Sequence, residues 1–249
     1  MPAESIYLDN KLASASLNET RIIKMLQFIL RYLTFRSSND ELMQLNRTHL
    51  LVGLLFTWLV GVGRYWDHPN AEILQYMGVG SVIYVFVLAA IFWLILKGLA
   101  VVQATYFGLL TMITLTSFPA ILYAIPVERF MTLEAARSAN VWFLAVVAIW
   151  RVALFATYLK RAYKLSAWVL IVSMLLPLMA IVSSLFVLNL EHVVFNIMAG
   201  ISESTGSAND EVYEIVFTLT LLSYLGILPV AIAYLTTAIT RWVQLKKKA

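Results

Sequence analysis

Six stretches of this chain run apolar for 17 residues or more, and this limits its possible folds more than any motif does. They cover about 48–64, 79–97, 100–124, 140–159, 165–189 and 212–240. A helix needs roughly 20 predominantly apolar residues to cross the hydrocarbon core of a bilayer. The sequence therefore predicts an all-α, polytopic membrane bundle of about six helices. Composition agrees, with 61% hydrophobic and 13% charged residues, against about 45–50% and 25% in soluble domains. Three segments follow: residues 1–47 before the first span, a membrane domain over 48–240 and a tail over 241–249.

The bases orient the bundle. Six lie in the N-terminal segment (Lys11, Arg21, Lys24, Arg31, Arg36, Arg47), one in the 97–100 turn, three in the 160–164 loop and four in the tail. These are 14 of the 18, whereas Arg64, Arg129 and Arg137 are the only ones expected on the other side. Lys and Arg concentrate in cytoplasmic loops, so both termini are expected in the cytoplasm. The expected location is a bacterial plasma membrane, or the endoplasmic reticulum in a eukaryote. The first 46 residues lack the short apolar core and small-residue site of a cleaved signal peptide.

Residues 17–36 predict a basic amphipathic helix ahead of the first span. Ser16 and Glu19 have capping-box spacing. Ile22, Leu26, Ile29 and Leu33 fall on one face, and Thr20, Lys24, Gln27 and Arg31 on another. Such a helix lies on an anionic leaflet, with Arg21, Lys24, Arg31 and Arg36 as candidate contacts for lipid head groups, an anionic ligand or a cytoplasmic protein. "SSNDELMQL" reads as a second helix start leading into the first span.

Polar residues inside a membrane are costly and mark candidate sites. Arg151 is the one charge well inside a span, and no acid sits at its depth. Gln103, Tyr106, Thr111, Ser173 and Tyr234 are its expected neighbours in a polar pocket. Pro119, Pro177, Gly226 and Pro229 are expected to bend three spans. Gly53, Gly61, Gly63, Gly78 and Gly80 permit close helix contacts, including between subunits. On the far side, Arg64, Asp67, Glu203, Asp210, Glu211 and Glu214 are candidates for an acidic outer mouth. The acids at 210–214 also suit the positive end of the last helix. In "GVGRYWDHPN", Tyr65 and Trp66 suit the interfacial aromatic belt.

No enzyme class is supported. The chain has no cysteine, hence no disulfide, thiolate metal site or cysteine nucleophile. His49, His68 and His192 are too scattered to be paired ligands, and no cofactor motif is present. "SFPAILYAIPVERF", with prolines bracketing the outer end of the third span, resembles the Yip-type family of small multi-span proteins, as does "RYLTFRSS" before the first span. The resemblance covers about residues 30–160. It implies about five spans and a trafficking-adaptor role without catalytic residues. From the residues themselves, the leading expectation is an oligomeric channel gated from the cytoplasmic side through the basic helix. The alternatives are a non-conducting scaffold that recruits protein partners, and a small secondary transporter.

Overall fold

The computed structural model describes residues 22–63, 66, 73–187 and 210–247. Every regular element among them is helical. We number the helices α1 (22–33), α2 (Asn39–Met43), α3 (Arg47–Gly63), α4 (Ile73–Tyr76), α5 (Val79–Gly98), α6 (Tyr106–Leu115), α7 (Leu133–Ala162), α8 (Ala167–Val187) and α9 (Asp210–Lys246). Two 3-10 segments, Phe118–Ala124 and Val127–Arg129, lie between α6 and α7. Among the described residues, five stretches are long and apolar enough to cross a membrane: Val79–Gly98, Tyr106–Ala124, Ser138–Ala162, Ala167–Ser184 and Thr218–Lys246. The first expected span, α3, is an apolar helix of 17 residues.

At the centre stands α6, whose residues from Gly108 to Leu115 are all buried. Thr105 starts it by accepting a hydrogen bond from the Gly108 N–H, as an N-cap does. Its end is set by Pro119 near the start of the 3-10 segment. Proline has no N–H and disfavours an α conformation in the residue before it. The third span therefore changes helix type at the place where a bend was expected. Pro177 and Pro229, by contrast, lie inside α8 and α9 without ending them.

Small residues let α3 approach this centre. Gly53, Thr57 and Gly61 recur every four residues on one face. A Cβ on Gly53 would collide with the Thr114 side chain, and one on Gly61 would stand 2.7 Å from the Ser81 Oγ. The Thr57 hydroxyl donates to the Gly53 carbonyl and to the Ser117 hydroxyl (2.8 and 2.9 Å). Without a hydrophobic driving force between helices in lipid, such close packing and hydroxyl bonding hold the pair. The order of these contacts, 53 with 114, 57 with 117 and 63 with 124, makes α3 parallel to α6 and its 3-10 extension. Gly53, Gly61, Gly63 and Gly78 all meet atoms of their own chain, whereas Gly80 meets nothing within 4 Å. Four of the five glycines expected to allow subunit contacts are thus used within the chain.

Candidate functional site: the basic end of the bundle

Helix ends leave carbonyls without partners, and at one end of this bundle side chains from other helices supply the donors. From α7, the Trp150 Nε1–H donates to the Leu33 carbonyl (3.0 Å), and the Arg161 guanidinium to the carbonyls of Phe35 and Ser37 (3.2 and 2.9 Å). From α9, the Tyr234 hydroxyl donates to Ile95, the Arg241 Nε–H to Leu99 and the Trp242 Nε1–H to Gly98 (3.2, 2.6 and 3.0 Å). The first set caps α1 and the second caps α5. Arg161 and Arg241, counted above as orienting charges, are thus also structural donors joining distant segments.

α1 is fastened to the bundle by its Met25, Phe28, Ile29 and Tyr32 face. Phe28, Ile29 and Tyr32 are buried, and the Phe28 ring meets His49 edge-on at 4.9 Å. The four residues expected to share one apolar face divide: Ile22 and Leu26 are exposed, while Ile29 is buried and Leu33 is half-buried. At 100° per residue the apolar arc of α1 spans roughly 220°, wide enough for two apolar faces. The aromatic one packs inward. The other, Ile22, Ile23, Leu26 and Leu30, is open beside Lys24, Gln27 and Arg31.

The expected anion contacts divide. Arg21 lies outside the described residues. Arg31 is paired with Glu41 at 2.5 Å, and Glu41 also closes the capping box on Ser38 that starts α2. Lys24 and Arg36 are exposed, together with Arg47, Lys97, Lys160, Lys164, Lys246 and Lys247. Two acids, Asp40 and the paired Glu41, lie in the first turn of α2. The end is a basic surface on a tied framework.

Of the polar residues expected around Arg151, four donate hydrogen bonds to backbone carbonyls. Tyr106 donates to the Phe86 carbonyl, Thr111 to Phe107, Ser173 to Leu170 and Tyr234 to Ile95. Gln103 is exposed in the connection between α5 and α6. Arg151 is half-buried and is not an unpaired charge. It acts electrostatically on Tyr32, whose hydroxyl burial holds protonated well above the ordinary tyrosine range, with the Arg151 charge opposing. Sequence reasoning missed a hydroxyl pair, Tyr158 with Tyr163 at 2.8 Å. Gly108 leaves room for it, since a Cβ there would stand 2.9 Å from the Tyr158 oxygen. No sequence motif marks the pair, because neither tyrosine is unusual until α6 folds against α7.

At the opposite end, the Arg129 guanidinium stacks over the Trp66 ring at 4.8 Å. Of the expected outer mouth, Arg64, Asp67 and Glu203 lie outside the described residues. Asp210, Glu211 and Glu214 fall in the first turns of α9, which begins at Asp210. Among the described residues no group of three or more His, Cys, Asp or Glu could hold a metal ion. Comparison with protein-family models, with curated proteins and with solved structures finds no match.

Proposed function

We propose that this protein is a non-conducting scaffold of the plasma membrane, crossing it six times, that presents its basic cytoplasmic end to acidic protein partners. The observation that carries this reading is the state of α6. The helix at the centre of the bundle, where a pathway through one chain would run, is packed with Leu109, Leu110, Met112, Ile113 and Leu115. Its hydroxyls are used locally, with Thr111, Thr114 and Thr116 donating to carbonyls of their own helix. A water-filled path needs polar groups turned to it, and these are turned away.

Six crossings take α3 as the short first span. Its parallel course with α6 gives two crossings in one direction with α5 returning between them. The positive-inside distribution then assigns the basic end to the cytoplasm. A channel, the first expectation from sequence, ranks second, because four of the five glycines that would admit a neighbouring subunit are filled by this chain. The adaptor role implied by the Yip-type resemblance accords with the scaffold.

The test uses polyglutamate as an acidic probe, on protein reconstituted in zwitterionic vesicles. Binding is expected, and the triple variant Arg36→Glu, Lys160→Glu, Lys164→Glu should lose it. Failure of the unaltered protein to bind at low salt would overturn the docking role.

A further inference from the structure

At the end opposite the bases, two connections, between α3 and α5 and between α6 and α7, carry large apolar side chains that the described chain leaves uncovered. Ile73, Leu74 and Met77, on and just after α4, are 77%, 65% and 54% exposed. Phe130 and Met131, just before α7, are 79% and 50% exposed. The Arg129–Trp66 stack joins the two connections.

Their depth follows from the elbow between α4 and α5. The Trp58 Nε1–H donates to the Met77 carbonyl at 2.8 Å. Gly78 has φ +64°, and a Cβ on it would stand 2.8 Å from the Val62 nitrogen and 2.9 Å from the Trp58 carbonyl oxygen. The elbow is therefore pressed against the last turns of α3 rather than held beyond its end. α3 itself is short: 17 residues at 1.5 Å each reach about 26 Å, against a hydrocarbon thickness of ~30 Å. A helix shorter than the membrane draws its flanking residues into the bilayer.

The helices leaving this end are apolar on their exposed faces too: Ile121 on the 3-10 segment, Ile125 just after it, and Ile83 and Val87 on α5 are all exposed.

We propose that Ile73, Leu74, Met77, Phe130 and Met131 form an apolar plate inserted at the boundary between head groups and acyl chains of the leaflet at this end. Its occupant is lipid. The chemistry that recognises it is that of an interfacial segment: apolar and aromatic side chains facing the acyl chains, with Trp66 and Arg129 at head-group level. The plate compensates for the short α3 on its side of the bundle. It rests on the bundle standing in a bilayer and is independent of the scaffold reading.

Because the chain lacks cysteine, single-cysteine variants report cleanly. Ile73→Cys and Phe130→Cys would carry an environment-sensitive dye in purified protein reconstituted in vesicles, with iodide on both sides as an aqueous quencher. Lys247→Cys in the tail serves as the water reference, and Ile149→Cys, on a 71% exposed position of α7, as the lipid reference. Blue-shifted emission, weak iodide quenching and strong quenching by head-group-proximal spin-labelled lipid are expected at both plate positions. Iodide quenching as strong as at Lys247→Cys would overturn the proposal, and would mean that the plate faces water or awaits a protein partner. Both plate positions are exposed, so labelling does not disturb the core, and the lipid reference verifies insertion in each preparation.

Discussion

Phe35, Ala100 and Lys164 hold positive φ angles of 62°, 57° and 51° without being glycine. Each follows a helix at the basic end, where the chain turns out of the left-handed position that usually takes glycine. Around Ala100 the hydrogen bonds from the Val101 N–H to Leu96 and from the Ala100 N–H to Lys97 form a tight helix stop. The strain at such a residue is about 1–2 kcal/mol. Ala100→Gly should therefore stabilise the protein by about 1 kcal/mol, read as a higher midpoint of unfolding in detergent. Gly53 is the converse case. Any side chain there meets Thr114, so Gly53→Val should destabilise by about 1–3 kcal/mol through overpacking, whereas Gly80→Ala, with open space around it, should be close to neutral.

Between elements, the contacts that matter are few and specific. Thr57→Val removes the hydroxyl that bridges α3 to Ser117 and should cost about 0.6–1.7 kcal/mol, the range for such bonds between membrane helices. Arg161→Ala removes both donors to the turn after α1, and charged-group hydrogen bonds are worth about 1.5–3 kcal/mol each. Trypsin should then cut at Lys24 and Arg31 markedly faster while the spans stay protected. Unchanged cleavage would mean that the buried Phe28, Ile29 and Tyr32 hold α1 without the arginine. The sequence announced the helices but not these pairings. Hydropathy locates a span because lipid demands it, yet it is silent about which face meets which neighbour. For α1 the apolar arc was too wide to name the inward face. For Arg151 the expected neighbours were chosen by depth alone, and depth does not show that Tyr106, Thr111, Ser173 and Tyr234 also donate to backbone carbonyls.

For the molecule as a whole, the helix most deeply placed is the least apolar of the candidate spans. Tyr106–Ala124 has mean hydropathy 1.6 and 67% of its span window buried, while Val79–Gly98 has 2.6 and 22%. A span shielded by protein can carry threonines, serine and glycine that a lipid-facing one cannot. The lower hydropathy of this stretch goes with its central position. At the basic end α7 caps α1 and α9 caps α5, so the first and last described helices are each tied to the bundle there. A bundle packed in this way is proposed to transmit nothing, and ion flux from proteoliposomes is the measurement that checks it. With the protein incorporated at increasing density, release of trapped K⁺ under an imposed potential should stay at the level of empty liposomes; flux that rises with protein density and is altered in an Arg151→Leu variant would contradict the account.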